Sequence, residues 1–156
     1  MKTKTGFNFK GKYRFIKKDA ITGKVISVSP WMNNLIMKAN TLGINLFIRR
    51  LGNDMTYDCI ITSAEIGTGT TTPNNNDANL QTPVLTGIIV VDRTIAPDNV
   101  TLSFFIPSVS LPNGTYNEFG LRCGTQMFAR SIITPAYVKG TNEDTTIEYI
   151  INGNNS

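Results

Sequence analysis

Histidine is absent from this chain. Its absence removes the commonest general base, the commonest zinc ligand and the usual partner of a nucleophilic serine or cysteine. The carboxylates left for acid–base work are Asp19, Asp54, Asp58, Glu65, Asp77, Asp92, Asp98, Glu118, Glu143, Asp144 and Glu148. Glycoside hydrolysis needs two of them facing one sugar, and nothing in the sequence draws Glu65 and Glu118, or any other pair, together. Gly67-Thr-Gly-Thr-Thr-Thr72 has the glycines of a phosphate loop, but it lacks the Gly-Lys-Ser/Thr ending and no helical pattern follows it at once. Asn142-Glu-Asp144 offers the oxygen ligands calcium takes without the EF-hand spacing; a turn before the last strand is the simpler reading. Cys59 and Cys123 are the two cysteines. Their separation is not a metal-ligand spacing, and free buried thiols are expected in preference to a disulfide. The expectation is a chain that is not an enzyme, with no cofactor and no metal.

These residues must be positioned by elements that the composition already constrains. At 156 residues, 40% hydrophobic and 17% charged, the chain is long enough for one core and too apolar for a disordered solvating segment. Its polarity comes from Asn and Thr, which suit turns and half-buried strands. No apolar run is long enough to span a membrane. The N-terminus lacks the apolar stretch of a signal peptide, so synthesis in the cytoplasm is expected.

Alternation predicts strands over residues 11–19, 24–29, 58–67, 84–93, 100–106, 116–121, 126–133 and 145–151. In the first, Tyr13 and Phe15 fall on one face and Lys12, Arg14 and Ile16 on the other. Gly23 sits in the turn of a first hairpin, and Gly87 marks a bulge. Residues 33–37 are short and apolar, either a strand or the start of a helix. Residues 41–51 predict a helix capped by Asn40 or Thr41, with Leu42, Leu46 and Phe47 as its apolar stripe. Arg49 and Arg50 complement its dipole, and Gly52 ends it. The fold class is mainly β: an antiparallel β-sandwich of about seven or eight strands with one helix. Residues 1–10 read as a basic arm, 11–151 as a single sandwich domain, and 152–156 as a flexible tail.

Two regions are candidate contact surfaces. One is the basic N-terminal stretch with Lys2, Lys4, Lys10 and Lys12. It suits an acidic protein surface or DNA, or it lines the solvent face of an edge strand and blocks edge pairing. The other is the loop of residues 68–79, with Thr70, Thr71, Pro73, Asn74, Asn75 and Asn76, too polar to pack and too long for a tight turn. Deleting residues 70–76 is expected to spare the fold and weaken assembly. Trp31, beside Pro30 at a hairpin end, suits a sugar, a protein interface or one end of the core.

The order of short motifs resembles a family of tailed-bacteriophage virion structural proteins. Gly11-Lys-Tyr, Thr22-Gly23-Lys-Val and Asn34-Leu-Ile resemble their opening hairpin. Glu65-Ile-Gly-Thr-Gly-Thr-Thr-Thr-Pro with Asp77-Ala-Asn-Leu80 is similar to their GTG…P…T/D-x-x-L segment. Asn113-Gly-Thr-Tyr-Asn-Glu-Phe-Gly-Leu121 is similar to G-x-Y-x-E-x-G-L, and Met127-Phe-Ala-Arg130 to L-F-A-R, with Ile133-Thr-Pro135 after it. The resemblance covers residues 11–151. It implies a non-enzymatic virion component of the tail, neck or fibre-attachment region. Such a component works by docking to other virion proteins and as a homo-oligomer, a ring or a fibre-associated assembly. The family carries no shared catalytic residues, and the basic decapeptide has no counterpart in it. A host-glycan-binding domain and a capsid decoration or head-fibre protein are the other readings.

Overall fold

Tyr13 and Phe15 are buried, while Lys12, Arg14 and Ile16 lie half-exposed on the opposite face of the same strand, as period-two alternation requires. The computed structural model describes residues 7–155. The elements are β1 (Phe7–Asp19), β2 (Val25–Val28), β3 (Met32–Asn33), β4 (Leu35–Ile36), α1 (Ile44–Leu51), β5 (Ser63–Gly67), β6 (Pro83–Ile95), β7 (Asn99–Ile106), β8 (Gly114–Cys123), β9 (Gln126–Lys139) and β10 (Glu143–Asn155). The sheet runs β2-β1-β10-β7-β6-β5-β8-β9-β4, and its pairings are antiparallel. The expected mainly β architecture with one helix is present.

One long strand turns this sheet into two layers. The first half of β6 pairs with β5, and residues 90–95 pair with β7. Gly87, at φ 68°, lies in a bulge where β6 gains a residue on β5, and the register slips again between Val90 and Asp92. Bulges bend and twist a strand, so β6 carries the chain around a corner from one layer to the other. On the opposite side, β3 pairs with β1 and β4 with β9, so residues 32–36 tie the layers together.

Aromatic rings fill the space between. Tyr13 of one layer stacks on Phe119 of the other at 4.6 Å, and Phe15 stacks on Tyr137 at 4.6 Å. The Tyr13 hydroxyl donates to Ser131 Oγ at 2.7 Å, and that hydroxyl donates to the Asn33 carbonyl at 2.9 Å. The Asn34 amide bonds the Tyr149 hydroxyl. A Cβ on Gly11 would stand 1.9 Å from that hydroxyl oxygen, so only glycine lets β1 pass this close.

Several expectations need correction. The helix begins at Ile44, not residue 41, and neither Asn40 nor Thr41 caps it. Its N-cap is Gly43, at φ 54°, with no side-chain cap bond. A Cβ there would sit 2.0 Å from the Met37 carbonyl, so Gly43 belongs to a close chain crossing and not to the helix interior. Leu42 leaves the helical stripe and joins Met37, Leu80 and Met127 in a second, smaller core. The strand expected over residues 58–67 starts only at Ser63. The boundaries drawn at residues 10/11 and 151/152 both fall inside paired strands. Phe7 to Lys10 pair with Asn155 to Asn152, so residues 152–155 are strand and not a flexible tail. Both cysteines are free, and burial pushes the Cys123 thiol up to about 12.

Burial also pushes the Tyr137 phenol up to about 12, and raises those of Tyr13 and Tyr149. A raised phenol pKa means the folded state holds the proton more tightly. Its contribution is complete below the ordinary tyrosine pKa of about 10 and is lost as pH rises through the folded value. In a spectrophotometric alkaline titration, these three phenols should therefore ionise together with loss of the near-ultraviolet circular dichroism of the core. Ionisation of all five tyrosines near the ordinary pKa, with the fold retained, would contradict this packing.

Candidate functional site

Glu118 and Arg130 lie on adjacent strands and point away from the aromatic core, onto the outer face of their layer. Both are nonetheless buried, because residues 68–82 fold down over them. Glu118 Oε1 accepts the backbone N–H groups of Gly69 at 3.1 Å and Thr82 at 2.6 Å; Oε2 accepts that of Gln81 at 2.9 Å. Arg130 donates to Glu118 Oε2 from Nε at 3.3 Å and Nη2 at 3.0 Å, to Asp77 Oδ2 at 2.7 Å, and to Thr71 O at 2.9 Å and Oγ1 at 3.1 Å. A buried carboxylate is tolerated only when its charge is balanced and its oxygens are bonded. Here the loop backbone and one guanidinium meet both needs.

A second ion pair lies beside the first. Arg122 donates to both oxygens of buried Glu65, at 3.0 Å and 3.1 Å, and to Asn79 Oδ1 at 2.9 Å. Glu65 stands opposite Gly120, and Glu118 opposite Gly67, on the β5–β8 ladder. The fold therefore does bring the two glutamates to one face. Each is held by an arginine, and Glu118 also accepts from loop N–H donors, so the arrangement anchors a loop. Gly120 serves the same packing: a Cβ there would meet Leu80 Cδ2 at 3.0 Å and Met127 Sδ at 3.3 Å.

The loop is thus not the unpacked segment its polarity suggests. The backbone N–H groups of Thr70 and Thr71 donate to Gln81 Oε1 at 2.8 Å and 2.9 Å. Asn74 N–H donates to Asp77 Oδ2 at 2.8 Å, and Asn76 N–H to Asn74 Oδ1 at 3.0 Å. Pro73 is half-buried, while Thr70, Thr71, Asn74, Asn75 and Asn76 remain exposed. Deleting residues 70–76 would strip Arg130 of its Thr71 contacts, so such a deletion is expected to cost stability as well as to weaken assembly. Sequence reasoning missed Glu118, Arg130, Gln81 and Asp77 as the loop's anchors. Their signal was a glutamate and an arginine inside otherwise apolar alternating strands.

The basic candidates lie elsewhere. Lys10 and Lys12 are on β1, and Lys2 and Lys4 fall outside the described residues. β10 flanks the whole of β1 on one side, and on the other β3 pairs with residues 12–13 and β2 with residues 16–18; Lys12, Lys17 and Lys18 therefore lie where β1 is an inner strand. Lys12 Nζ stands 5.0 Å and the Arg14 guanidinium 4.5 Å from the centroid of the Trp31 ring, and Arg14 is also paired with Glu148 at 2.8 Å. The tryptophan ring is already engaged by cations. This cluster lies on the outer face of the β1 layer, whereas the 68–82 loop covers the other layer, so the two candidate surfaces do not merge. Among the described residues no helix is long and apolar enough to cross a membrane.

The chain matches no protein-family model, no curated protein and no solved structure. The motifs keep a physical meaning all the same. Gly69, Asp77, Leu80, Glu118, Gly120 and Arg130 meet in one anchor, and Gly11 and Asn34 meet at Tyr149.

Removing one partner of a buried ion pair typically costs about 3–5 kcal/mol, whereas replacing both by apolar residues is often neutral. Arg130→Met should fall in the first class. The double variant Glu118→Leu/Arg130→Met should not recover, because the N–H groups of Gly69, Gln81 and Thr82 would stay unbonded. Urea unfolding checks both; a double variant as stable as the parent would show that the loop does not depend on Glu118.

Proposed function

We propose that this chain is a non-enzymatic structural component of a tailed-phage virion, working by docking to other virion proteins in the tail, neck or fibre-attachment region. The observation that carries the reading is how the motif residues are used. Glu118, Arg130, Gly69 and Asp77 hold the backbone of the 68–82 loop, while the side chains of Asn74, Asn75 and Asn76 face solvent. A loop fixed from below and polar above loses little conformational freedom when a partner covers it. Loops set on a rigid scaffold are where binding commonly resides.

Quantitative mass spectrometry of purified particles of the phage encoding this chain tests the reading. A small fixed copy number fits a ring or collar at the tail axis, and hundreds of copies would indicate decoration of the capsid or a repeating tail part. Absence from the particle would overturn the proposal. Within it, Asn75→Lys/Asn76→Lys should change unfolding free energy by no more than about 0.5 kcal/mol, as exposed substitutions usually do, yet lower incorporation into particles. Unchanged incorporation would remove this loop as the docking surface.

A further inference from the structure

Residues 33–38 leave β1 to close the sandwich, and a cleft opens where the two part. Asn33 pairs with Lys12, and the Asn34 N–H donates to the Gly11 carbonyl at 3.3 Å. Leu35 and Ile36 then pair with β9 in the other layer, and the Met37 N–H donates to the Phe128 carbonyl at 3.0 Å. Residues 8–10 of β1 continue along β10 instead. The space left is about 430 Å³, with Lys10 on the β1 wall and Asn33, Asn34 and Lys38 on the other, and Phe9 and Ile36 in its apolar part. Clefts of a few hundred Å³ with a few polar groups are the usual form of a ligand site.

The charge of this cleft is one-sided. Among the described residues its lining holds two ammonium groups and no carboxylate. Lys10, Lys38 and Asn33 are exposed, and neither lysine has an ion-pair partner among the described residues. Across the sheet from Lys10 stand Asn152 and then Asn99, and from Lys12 stand Ile150 and then Thr101, so neither row opposes a carboxylate. Alternate residues of β1 carry the row onward from Lys10 to Lys12 and Arg14, in steps of about 7 Å. Glu148 occupies the Arg14 guanidinium, and Asp144, farther along, accepts the Ser108 N–H at 2.8 Å. The free cations are therefore gathered at the cleft end. The sequence has the same polarity: residues 1–18 hold seven lysines and arginines and no acid, and the rest of the chain carries more acids than bases.

We propose that this cleft binds a backbone phosphate of a nucleic-acid strand between Lys10 and Lys38, with Lys12 meeting the next phosphate along. Lysine ammonium groups bind phosphate as point charges, whereas planar carboxylates favour the fork of an arginine. The guanidinium of this row is already taken by Glu148, which favours phosphate over an acidic protein surface. The Asn33 amide, on the wall facing Lys10, can donate to a phosphate or sugar oxygen. Contacts of this kind hold a backbone without reading bases, so binding should be independent of sequence and governed by counterion release. The site lies apart from the 68–82 loop and does not rest on the docking function proposed above.

Fluorescence anisotropy of the full chain with a labelled single-stranded oligonucleotide of mixed sequence, over a series of salt concentrations, tests it. The wild type should bind, with log affinity falling linearly against log salt. Each lysine–phosphate contact contributes about 0.7 to that slope on a single strand. Lys10→Gln and Lys38→Gln should each flatten the slope by about that amount, with unchanged circular dichroism. Lys24→Gln, at an exposed lysine between β1 and β2, should leave it as it is. Asn33→Asp adds a carboxylate to the cleft while keeping both lysines. It should weaken binding too, and it replaces either lysine variant that unfolds. No binding at low salt overturns the proposal. So does a slope that responds to Lys10→Gln but to neither Lys38→Gln nor Asn33→Asp, because the strand would then lie on the basic N-terminal sequence and not in the cleft. Polyglutamate that displaces the oligonucleotide at equal charge concentration would assign the cleft to an acidic protein instead. A chain that binds through both lysines but is missing from virions would sink the proposed function and leave this site standing.

Discussion

The Glu118–Arg130 pair is the constraint on which the outer face of one layer depends. Neither residue could be buried alone without a desolvation cost of several kcal/mol. Together they are stable only because Gly69, Gln81 and Thr82 present their N–H groups to the carboxylate and Asp77 and Thr71 present oxygens to the guanidinium. The dependence runs both ways. Without the pair, the loop's N–H groups would have no partner beneath it; without the loop, the pair would stand in water, where an ion pair contributes little. One mutual requirement therefore links β8, β9 and a long connection that has no regular structure of its own.

The same logic operates between the layers, with different chemistry. Tyr13, Phe15, Phe119, Tyr137 and Tyr149 supply the apolar area, but three of their hydroxyls are also placed. Tyr13 reaches Ser131, which reaches the Asn33 carbonyl, and Tyr149 reaches Asn34. Each of these bonds ends at or near the residues that tie β1 to β9. The buried polar tips therefore specify where the sandwich closes, while the rings supply the burial that stabilises it.

Much of this was legible in the sequence, and what was not has a common cause. The alternation in β1 placed Tyr13 and Phe15 on one face, and that face lies in the core. Gly23 and Gly87 were read as a turn and a bulge, and both adopt positive φ. The helix start was misjudged because Gly43 and Leu42 answer to a tertiary contact with Met37 and Met127, not to helical periodicity. The polarity of residues 68–79 suggested a solvated loop because its buried partners, Glu118 and Arg130, are many residues away in sequence. The lysines of β1 suggested an edge because strand order is not written in local pattern; β10, the last strand, pairs along the whole of β1, and β3 and β2 make it an inner strand at residues 12–13 and 16–18.

That strand order also bears on where a partner can attach. A barrel has no edges, whereas a sandwich closed on one side by a bulged strand and on the other by two brief pairings retains them. The bend in β6 makes two layers from one sheet, and it frees one side of residues 83–89 from pairing with β7. The closure at residues 32–36 is short, and β2 lies beyond it, paired among the described residues to β1 alone. The open edges are thus consequences of how the sheet is folded over, not separate additions to it.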